Sequence, residues 1–283
     1  MTIVRVPGSS ANLGPGFDGL GMALSLYAEV GIVGVDAIPE RGKVADDHHP
    51  ATIAFRDAGG NGDVWVRSEI PMGRGLGFSG AVRVGGAMLG VLRSHEARVL
   101  DASMTQAVID VTARIEGHAD NVAASLLGGV IATNGHRTVK VPLDDRLIGE
   151  LSVVVWIPDF TTSTSESRAK MPQSVSFVDA VFNITHTALL VAALAAGDID
   201  ALGEAMNDRL HQDLRLAKAD PSREAMGAMV DAGAVSAWLS GSGPTVACFV
   251  RSGDADRVAA ALPTNGRARV VSIDHQGAHV VNV

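Results

Sequence analysis

The sequence predicts an α+β protein of two domains, residues 1–150 and 151–283. Three observations support this. Strand-like alternation and 3.6-residue helical periodicity are interleaved from the start of the chain. After residue 150 short strands and helices alternate in the manner of a two-layer α+β unit. Hydrophobic residues make up 47% of the chain, enough to bury a sizeable core, and its 32 glycines point to tight turns and close helix packing.

The elements follow in order. Residues 2–7 alternate as a strand, and Leu24, Leu26, Val30 and Ile32 recur at even spacing over 24–35. The polar stretch 36–49 reads as a loop. Residues 64–70 form a strand leading into the turn PMGRGLGFSGA, after which Val82, Met88, Leu89, Val91 and Leu92 share a helical face. Asp101 is placed to cap a helix carrying Met104, Val108, Val111 and Ile115. Asn134-Gly135 is a favoured two-residue hairpin turn. In the second half the pattern predicts strands over 151–157, 235–239, 246–251 and 269–273. Helices are predicted over 174–196, 200–208, 222–232 and 254–262.

Charge and composition remove several classes. The net charge is −8 and no run of Lys or Arg exceeds two, which argues against nucleic acid or an anionic membrane surface as the partner. Cys248 is the only cysteine, so neither a disulfide framework nor a cysteine zinc site is expected. The N-terminal residues lack a basic region followed by an apolar one, and the longest apolar stretch, 188–196, is too short to cross a bilayer. A soluble, cytoplasmic protein is the expectation.

The chemistry concentrates in glycine-rich turns. Gly73, Gly75 and Gly77 alternate between a strand and a helix, an arrangement that directs backbone N–H groups at a helix N-terminus toward phosphate. Ser79 stands at the helix start, where a hydroxyl reaches phosphate-bound Mg²⁺. No Gly-Lys-Ser/Thr occurs, so this is not a Walker A loop. Gly77-Phe78-Ser79-Gly80-Ala81 approaches the nucleophile elbow Gly-x-Ser-x-Gly but ends in Ala, leaving a serine hydrolase acting through Ser79 as the alternative from another class. Gly14, Gly16 and Gly19 match G-x-G-x-x-G, but a strand pattern follows where a dinucleotide fold needs a helix.

Four motifs, PGSSANLGPGFDGLGMAL (7–24), PMGRGLGFSGA (71–81), EGHADNVAASLLGG (116–129) and LSGSGPT (239–245), stand in the order and rough spacing of the GHMP kinases. The first and third resemble homoserine kinases in particular, as do IPDFTTSTSESRAKMP (157–172) and FNITHTALLVAAL (182–194). The resemblance implies an N-terminal domain like the second domain of ribosomal protein S5, packed on a ferredoxin-like C-terminal domain. It implies ATP at their interface, held by Pro71, Gly73, Arg74, Gly75, Leu76, Gly77, Phe78, Ser79, Gly80 and Ala81, with Mg²⁺ on Ser79 and Glu116. The implied acceptor is L-homoserine, phosphorylated on its side-chain hydroxyl in threonine biosynthesis by an enzyme that is a homodimer.

That acceptor is a zwitterion, so its site needs an anion, cations and a polar group. Asn12, Asp18, His118, Arg168, Arg215 and Gly241 match the family's substrate-binding positions, Asp18 being suited to the ammonium and the arginines to the carboxylate. Asn121, Thr164 and Arg168 match positions at the reacting groups. Other GHMP kinases carry a catalytic Asp near Asn121. Asn cannot act as a general base, so direct in-line attack on the γ-phosphate is implied, with rate from positioning and electrostatics. Without the resemblance, surface ion pairs at the arginines, an Asx-turn at Asp18 and a helix cap at Thr164 are the plainer readings.

Phe78 and Gly80 depart from the family's usual Gly-Leu-Gly-Ser-Ser-Ala. Phe78 either tightens the nucleotide site or packs outward. Related kinases of threonine or a cyclitol, or a nucleotide-binding pseudokinase, therefore stay open. His48-His49 lacks further metal ligands and is placed near the adenine loop, His211 is read as an exposed or packed helix residue, and Cys248 as a buried strand residue.

Overall fold

A computed structural model of the chain describes residues 2–162, 164–169 and 171–281. The first half contains strands β1 (Ile3–Ala11), β2 (Leu20–Ile32), β3 (Lys43–Val44) and β4 (Val64–Ser68), with helix α1 (Pro50–Asp57) inserted between the last two. Helices α2 (Phe78–Ser94), α3 (Ala102–Glu116) and α4 (Asp120–Leu127) follow, then the hairpin β5 (Val130–Thr133) and β6 (Thr138–Val141) and helix α5 (Asp145–Glu150). The second half runs β7 (Leu151–Pro158), α6 (Thr164–Ala169), α7 (Phe177–Ala196), α8 (Ile199–Ala205), α9 (Gln212–Leu216) and α10 (Asp220–Asp231). It closes with β8 (Ser236–Leu239), β9 (Val246–Arg251), α11 (Ala255–Ala260), β10 (Gly266–Val271) and β11 (His279–Val281).

Two sheets organise these elements. The seven-stranded sheet has the path β11-β1-β2-β4-β3, with β5 pairing β2 and β6 pairing β5. The four-stranded sheet has the order β10-β7-β9-β8, all neighbours antiparallel, the strand order of a ferredoxin-like unit. The sheets divide near residue 150, except that β11 returns to pair with β1 through Ile3 and Val281. A short strand at the chain end carries no periodicity long enough to read, and the sequence pattern missed it.

Packing explains the apolar runs. In β7, Val153, Val155 and Ile157 join the main core, whereas Val154 and Trp156 face a second core with Leu216, Met229, Cys248 and Val258. Successive side chains of a strand point to opposite faces, so a strand covered on both sides is apolar throughout. On α2, Gly86 and Gly90 face α1, and a Cβ at Gly86 would run into the Ala51 carbonyl. Bare glycine backbone lets the two helices pack closely.

Several local expectations hold. Asp101 caps α3 by accepting from the Met104 N–H at 2.8 Å. A hairpin does join β5 to β6, though through the four residues 134–137, Asn134 N–H donating to the Arg137 carbonyl at 3.2 Å, and not through a two-residue turn at 134–135. Others shift. β2 begins at Leu20 where alternation suggested residue 24, and α1, α4, α5 and α9 are helices of eight residues or fewer, too short to show a period. Helix α7 has mean hydropathy 1.6 and meets the length and composition of a membrane span, longer than the apolar stretch 188–196. It lies against α8, burying Leu190, Ala193 and Leu194.

Candidate active site

Between the two sheets lies a cleft of about 290 Å³, lined by the turn after β4, the start of α2, the ends of α3 and α6, and the turn before β9. Its floor is the glycine loop. Gly73, Gly75 and Gly77 all have positive φ, at 68°, 73° and 70°, which turns the chain sharply into α2. A side chain at Gly75 would collide with the Ser240 carbonyl, and one at Gly77 with Ser9 Oγ. Helix α2 begins with Gly77 at its N-cap and no side-chain cap, so its first N–H groups have no side-chain acceptor of their own. Such an end favours an anion through both hydrogen bonding and the helix dipole.

The loop is held from both halves. Ser9 N–H donates to the Leu76 carbonyl at 3.1 Å, Ser240 Oγ to the Gly75 carbonyl at 2.6 Å, and Thr162 N–H to the Gly73 carbonyl at 3.1 Å. Arg74 donates through Nε and Nη2 to the Pro158 and Asp159 carbonyls, both at 2.8 Å. Of the predicted loop residues, Gly73, Arg74, Gly75, Gly77, Phe78 and Ser79 line the cleft. Leu76, Gly80 and Ala81 are buried behind it, and Pro71 lies off its wall. Gly80 sits against Asn121 and Val122, close enough that a Cβ there would lie 3.3 Å from Asn121 Cβ. Phe78 faces the cleft and meets His49 edge-on, 6.3 Å between ring centres.

Ser79 and Glu116 do come together, Ser79 Oγ donating to Glu116 Oε2 at 3.2 Å. A hydroxyl and a carboxylate are the hard oxygen donors that magnesium takes. The pair does not, however, stand open: Arg83, one helical turn after Ser79, places Nη1 on both Ser79 Oγ and Glu116 Oε2. As arranged, these residues hold a guanidinium and do not fit a metal ion between them. The hydrolase alternative also loses support, because Ser79 Oγ bonds to an acid and a guanidinium where a nucleophile needs a general base such as imidazole.

The other wall carries the residues expected to hold an amino acid. Asp18 accepts from Arg168 Nη1 and Nη2 at 2.7 and 2.8 Å, a bidentate pair. That bond holds the Arg168 pKa above its ordinary value. Arg215 donates to the Gly241 carbonyl at 3.0 Å and lies 5.1 Å from the Phe17 ring, with Arg168 at 5.6 Å from the same ring. Burial, then the neighbouring Arg168 charge, pull the Arg215 pKa down. Asn12 ties the site together, donating through Nδ2 to the Gly241 carbonyl at 3.0 Å and accepting the Asp18 N–H at 3.1 Å. The Asp18 carboxylate thus meets Arg168 and, among the described residues, caps no Asx-turn of its own, while its N–H closes the loop onto Asn12.

His118 donates through Nδ1 to Asp120 at 2.6 Å. Burial alone would lower the imidazole pKa, but the Asp120 hydrogen bond and charge, with help from Glu116, outweigh it and leave it above its ordinary value. Asp120 also accepts the Asn121 N–H at 2.7 Å, and Asn121 Oδ1 accepts from Ser9 Oγ at 2.9 Å. Thr164 begins α6, but its side chain lies outside the described residues.

The loop 12–19 that presents Asp18 is pinned by the second half. The Pro15 carbonyl accepts from Asn183 Nδ2 at 3.1 Å and Thr187 Oγ1 at 3.0 Å, and the Gly14 carbonyl from His211 Nε2 at 2.8 Å. His211 is therefore a buried, packed residue, its pKa lowered chiefly by that burial. Sequence reasoning did not single out Arg83, Phe17, Ser9 or Thr162. Arg83 alone carried a signal, as the one charged residue in the stretch 78–92. Cys248 is buried in β9, and burial pushes its thiol up to about 12.

Comparison with known proteins places this cleft in context. The GHMP kinases N terminal domain matches residues 48–129, and the GHMP kinases C terminal matches residues 190–268. A homoserine kinase of Moorella thermoacetica is 40% identical over 269 residues, covering 89% of this chain and 88% of that protein. One from Deinococcus radiodurans is 40% identical over 262 residues, covering 87% and 83%. Among solved structures, a homoserine kinase from Cytophaga hutchinsonii superposes with a TM-score of 0.83 at 22% identity, covering 99% of this chain and 97% of that one. A mevalonate kinase superposes at 0.71 and 15% identity, covering 97% and 99%.

Proposed function

The chain belongs to the GHMP kinases, and from that premise we propose that it is a cytoplasmic homoserine kinase, transferring the γ-phosphoryl group of ATP to the side-chain hydroxyl of L-homoserine on the route to threonine. The observation that carries the substrate is the meeting of Asp18 with Arg168 and Arg215 beside the glycine loop in one cleft. A carboxylate and two guanidiniums within one small cleft complement an amino acid's ammonium and carboxylate. The many relatives named homoserine kinase support the same acceptor.

In this reading the glycine loop and the start of α2 bind the nucleotide's phosphates through backbone N–H groups. Asp18, Arg168 and Arg215 orient the amino acid so that its hydroxyl faces the γ-phosphate, with Asn12 and Gly241 shaping that pocket. Asn121 carries no titratable group and is fixed by Ser9, so it serves to position the hydroxyl, not to remove its proton. Rate then comes from alignment and from donors aimed at the developing charge. Magnesium belongs to this proposal as the companion of the nucleotide's phosphates, and so does a homodimer, which light scattering after size exclusion measures directly.

The test is ADP release from ATP and Mg²⁺ with L-homoserine, L-threonine, L-serine and myo-inositol in parallel. Turnover with homoserine alone is expected. Turnover with another acceptor instead, or none with any, refutes the substrate assignment.

A further inference from the structure

At the Ser79–Glu116 pair the cleft departs from what its residue types suggest. Glu116 is the last residue of α3, where the helix dipole disfavours an acidic side chain and favours a neighbouring cation. Ser79 is in the first turn of α2, where positive charge is set beside a phosphate site. Arg83 reaches back one turn and puts a single nitrogen on both oxygens. Its side chain is 16% exposed and that of Glu116 14%, so the pair is largely removed from water. Arg83 Nε is buried with no hydrogen-bond partner, leaving one donor unused behind Ser79 and Glu116. The positive charge of Arg83 also helps lower the pKa of His49 on the cleft wall, after burial.

We propose that Arg83 is a built-in cation that occupies the Ser79–Glu116 locus, so that this chain holds no free-standing divalent metal there and supplies the positive charge beneath the phosphate loop from its own guanidinium. The physical basis is competition for one carboxylate. A guanidinium tethered one helical turn away is present at high effective concentration, and a metal ion must displace it and leave it unpaired in a nearly dry site. The inference deepens the reading of residues 73–79 as a phosphate site, and its test uses the nucleotide-free protein, so it stands or falls apart from the choice of acceptor.

The experiment is a titration of Mn²⁺ into nucleotide-free protein, followed by the paramagnetic resonance signal of the free ion. The parent, Arg83→Met, Glu116→Gln and the double variant Arg83→Met/Glu116→Gln are compared. The expected result is that Arg83→Met binds Mn²⁺ roughly tenfold or more tightly than the parent, and that the double variant loses the gain. Mn²⁺ should also raise the melting temperature of Arg83→Met but not of the parent. The inference is overturned if Arg83→Met gains no Mn²⁺ affinity. It is equally overturned if the parent already binds the ion in a manner that Glu116→Gln abolishes, a comparison that does not depend on how Arg83→Met folds.

Discussion

Asp18 and Arg168, 150 residues apart in sequence, grip each other through the two terminal guanidinium nitrogens, Nη1 and Nη2, at 2.7 and 2.8 Å. The two groups proposed to take the ends of an amino acid thus neutralise one another when no ligand is present. Their side chains are 37% and 44% exposed, so the pair adds about 0–1 kcal/mol to stability. On the proposed function, the pair holds the two sides of the acceptor site together until a zwitterion exchanges both partners.

From this geometry, Asp18→Asn should raise the KM for homoserine by roughly tenfold to a hundredfold, the loss of one charged hydrogen bond of about 1.5–3 kcal/mol. The KM for ATP should stay near the parent's. Arg168→Lys should lose most of the same binding, because an ammonium cannot form the two-pronged contact. Steady-state kinetics with each substrate varied in turn checks both.

The imidazole of His118 should titrate above the ordinary histidine range, since Asp120 holds its proton. Asp120→Asn should move that titration down, as followed by the ring-proton shifts in NMR. A raised folded-state pKa stabilises the fold at low pH. The contribution is therefore complete below about pH 6.5, the unfolded value, and is lost as pH rises through the folded value. The stability gap between parent and variant should narrow over that interval.

Gly75→Ala should be costly in a way that Gly135→Ala is not. Both positions have positive φ, 73° and 86°, and each pays about 1–2 kcal/mol for a side chain in that region. Only at Gly75 does the new Cβ strike backbone, the Ser240 carbonyl, while Gly135 opens onto free space. Calorimetry should show weakened ADP binding for Gly75→Ala alone, together with the larger fall in melting temperature.

Asn183 is buried and joins the Pro15 carbonyl, Asp208 and the Arg209 N–H. Asn183→Ala should cost about 1–3 kcal/mol by leaving buried polar groups unpaired. Because the Pro15 carbonyl anchors the loop that presents Asp18, the KM for homoserine should rise as well. Denaturant unfolding and kinetics measured on the same preparation check the two effects.

Ser79 should not react as a nucleophile. Its oxygen lies between Glu116 and Arg83. A fluorophosphonate probe should therefore label neither the parent nor Ser79→Ala, as read by intact mass.

By itself the sequence determined the glycine loop, the long helices and the second sheet. Each leaves a mark in a short stretch of chain: positive φ at Gly73, Gly75 and Gly77, the Asp101 cap, and the unbroken apolar run of β7. The motif order also carried the family and most of the residues that line the cleft. Tertiary structure alone decided that β11 closes the first sheet, that Asp18 faces Arg168 before any ligand does, and that Arg83 fills the space between Ser79 and Glu116. These are pairings of residues far apart in the chain, or of a side chain with a neighbouring helix. No local period encodes which charge a folded chain brings to which, because that choice is made by how the two sheets and their helices pack.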